Sequence, residues 1–127
     1  MQPTEIIELV QQRTGHDSAQ PANDLLLAVL ETLAERDLDG AQVDFAAQLP
    51  NEFGTMLTHA DQTGQEKFDA DEFVRRVAQR ADISEEQSET WTRATLSGLV
   101  ESVTAGVRND FVSALPADLA AYARWDV

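Results

Sequence analysis

The chain has 127 residues, 43% of them hydrophobic, with 23 acidic against 9 basic side chains and a net charge of −14. That suffices for one compact domain, residues 1–127, whose core needs neither disulfide nor metal, and it is too apolar for intrinsic disorder. The charge would repel a phosphate backbone or an anionic membrane face, so neither nucleic acid nor membrane is expected as a partner. The absence of cysteine removes thiolate metal ligands and a cysteine nucleophile and fits a reducing, cytoplasmic setting.

Helical spacing dominates the pattern from the first residues onward. Ile6, Ile7 and Val10 recur on one face of a helix over about residues 4–14. A longer helix follows over about 22–36, then a short one over about 41–48, where Phe45 and Leu49 lie four apart on one face. Pro50 ends that helix, because the residue before proline is pushed out of the α region, and it suits the first turn of a fourth helix carrying Phe53, Met56 and Leu57. Residues 61–68 are polar and contain Gly64, as an inter-unit linker would.

The order then repeats. A fifth helix over about 70–81 opens with Asp69 and Glu72 at capping spacing and buries Phe73, Val74 and Val77. Ser84 and Gln87 have the same spacing before a long helix over about 85–102. A seventh helix spans about 105–114, Pro116 punctuates the chain again, and Leu119, Tyr122 and Trp125 follow. No segment alternates with period two, so no sheet is expected. The fold class is all-α: about eight helices in two tandem four-helix repeats, units about 4–60 and 69–126, packed as one bundle-like domain.

Direct alignment supports duplication. Residues 28–50, AVLETLAERDLDGAQVDFAAQLP, match residues 94–116, ATLSGLVESVTAGVRNDFVSALP, at nine of 23 positions without a gap, among them Leu30/Leu96, Glu35/Glu101, Phe45/Phe111 and Pro50/Pro116. Upstream, with a one-residue slip, Ile6, Ile7, Val10 and Arg13 align with Phe73, Val74, Val77 and Arg80. Thr95 and Gly98 in the second long helix, and the polar stretch before Leu25 in the first, depart from equivalence.

These stretches, with NEFGTML, FDADEFVRRVAQRADI and FVSALPADL, resemble the uncharacterised domain-of-unknown-function 2267 family over nearly the whole chain. The resemblance implies an all-helical prokaryotic protein. It implies no activity and brings no catalytic residues with it.

Residues 61–72, DQTGQEKFDADE, partly match a twelve-residue calcium loop, with Asp61, Thr63, Gln65, Asp69 and Glu72 at ligand positions 1, 3, 5, 9 and 12. Glu66 stands where such loops need glycine, and two ligand positions lack carboxylates. The competing reading makes Asp69 and Glu72 a helix cap and the rest a linker. Asp61, Asp69 and Glu72 are therefore weak metal candidates, and no cofactor is expected. His16 and His59 lie near helix ends with no second histidine three or four residues away, so each reads as a surface histidine favoured by the helix dipole. The carboxylates read as solvated faces, for example Glu31 and Glu35. Trp91 matches the apolar helical position of Leu25 and reads as core; Trp125 could pin the last helix. No nucleophile elbow, phosphate loop or dinucleotide fingerprint is present.

The leading expectation is a non-enzymatic helical domain that works through a protein partner; the alternative is a weak divalent-cation binder using the 61–72 loop, and an enzyme is the least expected of the three. The acidity has two origins in view: recruitment of a basic partner, or adaptation to a salt-rich cytoplasm. Eight arginines and the single Lys67 resemble the usage of halophilic proteins. So charged a chain repels itself when compact, and the Debye length falls from about 30 Å at 0.01 M salt to about 3 Å at 1 M. The protein should therefore melt at a higher temperature in molar potassium chloride than in dilute buffer, read at the 222 nm helical band. A midpoint that is flat or falls with salt would remove the charge argument.

Overall fold

A computed structural model of the chain describes residues 1–58 and 65–125. These form eight α-helices: α1 (Pro3–Thr14), α2 (Ala19–Glu35), α3 (Gln42–Gln48), α4 (Asn51–Thr58), α5 (Ala70–Ala81), α6 (Glu85–Glu101), α7 (Ala105–Ala114) and α8 (Ala117–Ala120), which runs into a 3-10 turn over Ala121–Ala123. The all-α reading and the element order hold, and no described helix is long and apolar enough to cross a membrane.

Local chemistry accounts for the boundaries. Pro3 occupies the first turn of α1 and Gln2 its N-cap, whose N–H donates to Glu5 Oε1 at 2.9 Å. Gly15 closes α1 in the left-handed region at φ 80°. α2 starts three residues before the apolar pattern does, at Ala19, because the polar turn Ala19–Pro21 has no apolar periodicity to announce it. Asp69 caps α5 by accepting from the Glu72 N–H at 2.9 Å, and Ser84 with Gln87 forms a reciprocal capping box on α6. A second acid, Asp118, reaches across from α8 to accept from the Ala70 N–H at 2.8 Å.

Four helices make the centre. α1 packs against both α2 and α6, and α5 packs against the same two. Ile6, Val10, Leu25, Leu26, Leu30, Leu33, Phe73, Val77, Leu96 and Leu99 are buried at their junctions. α6 fits there through small residues: Gly98 lies beneath Leu9 and Val10 of α1, and the buried Ser88 hydroxyl donates to Val74 O of α5 at 2.7 Å. The α3–α4 and α7–α8 pairs flank this centre, and Gly54 lets α4 approach α3 so closely that a Cβ would stand 2.4 Å from Ala46 O.

Several residues matched by the alignment are buried alike. Leu30 and Leu96, Leu33 and Leu99, and Leu49 and Leu115 are buried pair by pair. Phe45 and Phe111 touch each other, their rings stacked at 4.0 Å with an interplanar angle of 11°. Arg13 of α1 binds Ser97 Oγ and Glu101 of α6, both at 2.8 Å, while its counterpart Arg80 of α5 binds Thr32 Oγ1 at 2.8 Å and Glu35 of α2. Each first helix thus carries an arginine that is anchored to the other half of the chain. The halves also differ: α4 has two turns, where α8 has one followed by the 3-10 turn.

Phe45→Ala and Phe111→Ala should each cost about 3–5 kcal/mol of unfolding free energy. Because the rings touch, the double variant should lose less than the sum of the two, by about 0.5–1.5 kcal/mol. Urea unfolding of the four proteins gives this cycle; strict additivity would show that the stack contributes only as separate buried surfaces.

Candidate functional site

The described part of the calcium-like loop is engaged in structural bonds. Asp61 and Thr63 lie outside the described residues, as does His59. Gln65 donates its side-chain amide to Ala34 O, and Glu66 exchanges backbone hydrogen bonds with Glu35 O and the Asp37 N–H at 2.9 and 2.8 Å. That short parallel bridge to Arg36 is extended pairing at the end of the supposed linker, which polar composition could not foretell. Asp69 serves as an N-cap, and the Glu72 carboxylate is taken by Arg75 and by Arg76 Nε at 2.8 Å. The two guanidiniums hold the Glu72 carboxyl below its ordinary range. Among the described residues no three histidine or acidic side chains converge as a metal site would need.

Glu35 also departs from the solvated-face expectation. It is half-buried between α2 and α5, hydrogen-bonded to Arg80 and to Arg76 Nη1 at 3.2 Å. Glu31 lies 3.5 Å from Arg80, and Glu66 lies 3.6 Å from Arg76. The Arg76 guanidinium also sits 3.9 Å above the Phe68 ring. The guanidiniums of Arg76 and Arg80 thus tie α5 to α2 through shared carboxylates.

The α3–α4 cleft, about 410 Å³, is lined by Val43, Ala47, Thr55 and their neighbours, and among the described residues no titratable side chain lines it. The remaining depressions meet at one corner, where the α1–α2 turn faces the α5–α6 turn. His16, directly after the Gly15 cap, lays its ring 4.5 Å from Trp91 of α6 at an interplanar angle of 58°. Its Nδ1 stands 2.6 Å from Thr14 Oγ1, and its carbonyl accepts from Gln11 Nε2 at 3.2 Å. The Thr14 contact holds the ring and the Gln11 bond holds the backbone, so His16 is a partly exposed but positioned residue. Trp91 is only half-buried: its body packs on the core while its ring walls two depressions. Its counterpart Leu25 is fully inside the core, whereas Trp91 packs against the core only in part.

Beside the two rings lies a pocket of about 100 Å³, lined by His16, Asp24, Leu25, Ile83 and Trp91 among others. Drug-sized ligands occupy roughly 300–1,000 Å³, so this is a notch for a single side chain. Open shelves continue from it on three sides, past Glu8 and Gln12, past Glu31 and Asp82, and past Glu86 and Thr90. The rim is acidic, and its one basic residue, Arg80, is bound to Glu31 and Glu35.

A signal for this corner existed in the sequence. Carried on by the same slip, the alignment of Arg13 with Arg80 sets Gly15 against Asp82 and His16 against Ile83. Gly15 and Asp82 are both left-handed helix caps, at φ 80° and 56°. The notch thus holds both members of two matched pairs, His16/Ile83 and Leu25/Trp91, and within each pair one member is aliphatic and the other aromatic.

The Glu35 carboxyl is held below its ordinary value of 4.5, first by the Arg80 hydrogen bond and further by the Arg80 and Arg76 charges, against an opposing push from burial. A depressed carboxyl adds stability above its unfolded value, and that stability is lost as pH falls through the folded value. Between about pH 5 and pH 3, the urea midpoint of the wild type should fall more steeply than that of Glu35→Gln. Parallel profiles would show that Glu35 carries no proton-linked stability.

No curated protein matches the chain. The model of an uncharacterised conserved protein family, DUF2267, matches residues 4–122, spanning α1 to the 3-10 turn and including the arginine staples, the Phe45–Phe111 stack and the His16–Trp91 corner. The chain belongs to the DUF2267 family.

Proposed function

We propose that the chain is an internally duplicated, non-enzymatic helical domain that works by holding another protein at the His16–Trp91 corner. The observation that carries this reading is the partly buried indole, set beside a hydrogen-bonded imidazole and bordered by three open shelves. Aromatic side chains fixed in this way supply large contact area at low entropic cost, which is why they anchor interfaces.

Duplication is favoured by reciprocity. Under a pseudo-twofold relation, equivalent residues meet near the axis and non-equivalent ones pair crosswise. Phe45 on Phe111 is the first case, and Arg13–Glu101 with Arg80–Glu35 is the second. The notch, lined by both members of two matched pairs, would then also lie near the axis. Such a place can be built once by symmetry and made specific by changing one member of each pair.

A cytoplasmic setting is supported by the lack of cysteine. The cation-binding alternative draws no support from the described half of its loop, where Asp69 and Glu72 are already engaged.

Copurification of the tagged full chain from native cells, beside Trp91→Leu, tests the proposal. Leucine is the residue at the matched position, so the fold should persist, with an unchanged circular dichroism spectrum. We expect partners that the wild type retains and Trp91→Leu loses. Identical protein profiles by quantitative mass spectrometry would sink the assignment of the interaction to this corner.

A further inference from the structure

The aromatic side chains divide by exposure. Phe45, Phe53, Phe73 and Phe111 are fully buried; Phe68, Trp91, Tyr122 and Trp125 reach the surface. Three of these four carry a guanidinium of this chain over the ring: Arg36 and Arg76 over Phe68, Arg93 over Tyr122 at 5.2 Å, and Arg13 over Trp125 at 5.3 Å. Trp91 is the exception. Among the described residues, which include all eight arginines, no guanidinium lies over its ring. Its neighbour is His16 instead, on one side.

We propose that the vacant part of the Trp91 ring receives an arginine from a basic segment of a partner protein. Indole is the best side chain for cation–π recognition, and a guanidinium both stacks on it and keeps donors free for carboxylates. The shelves around the ring supply Glu86 on the α6 side and Asp24 in the notch. The net charge of −14 steers basic segments towards the molecule and repels nucleic acid and acidic membranes. The same charge opposes a second copy of the chain as the occupant. This inference rests on the assignment of the corner as an interaction surface and adds the chemistry of what it holds.

The test uses two fluorescein-labelled helical peptides of the same length, apolar spacing and net positive charge, one with arginines and one with lysines. Anisotropy titrations of the full-length wild type and Trp91→Leu are run at about 0.15 M and 1 M salt, where screening lengths are about 8 and 3 Å. Non-specific attraction to an acidic surface treats the two peptides alike and vanishes with salt. Recognition at the ring should favour the arginine peptide, because lysine shares the cation–π attraction but not the planar stacking; the ratio is bounded by about 30-fold, the whole strength of a desolvated cation–π pair. That preference should persist at high salt and disappear in Trp91→Leu. Equal affinities for the two peptides, a preference that survives in Trp91→Leu, or no binding of either would each overturn the proposal. If Trp91→Leu loses partners on copurification while the peptides are not distinguished, the corner stands and its basic occupant falls. If the peptides are distinguished but copurification is unchanged, the chemistry of the ring stands and the cellular role falls.

Discussion

The structure depends on one constraint: a three-turn helix with a single apolar stripe has nowhere to bury it except between two longer helices. α1 and α5 are both of this kind. Each lies against α2 and α6 together, so neither half completes a core alone. α1 buries Ile6 and Val10, and α5 buries Phe73 and Val77, in seams whose walls come from both halves. Cooperative stability follows from this exchange, since removing either short helix would open both long ones to water.

Electrostatics takes its form from the same exchange. A protein with 23 acids and eight arginines cannot neutralise its surface locally, and its arginines are concentrated at joints. Arg13 and Arg80 tie each first helix to the opposite long helix, Arg76 ties α5 to α2, and Arg108 closes the end of α6 by donating to Val100 O and Val103 O. Exposed ion pairs contribute little one by one; here several share carboxylates and lie half-buried, and their geometry fixes how the halves sit. The uncompensated acids elsewhere face solvent and salt.

Where the halves differ, the difference is local and chemical. One corner brings together the turns after α1 and α5, both closed by a left-handed residue. Leucine and isoleucine on one side face tryptophan and histidine on the other. An aliphatic version of the corner would be a packed end of the bundle. The indole is partly buried there, packed against the core and beside His16, and lines two depressions.

Much of this was legible without coordinates. Apolar spacing, proline punctuation and capping residues are local properties, so helix order and most boundaries could be read directly, and Asp69 and Ser84 cap where their spacing says they should. The internal alignment also determined which residues would be buried in pairs. Tertiary structure alone decided that Phe45 and Phe111 touch, that Arg13 and Arg80 reach across rather than within their halves, and that Glu35 is an ion-pair partner rather than a solvated acid. It also decided that Trp91 is partly buried, with its ring lining two depressions, and that Asp69 and Glu72 are caps and staples. The physical reason is the same in each case: spacing along a helix says which residues share a face, but what that face meets depends on residues far away in the chain.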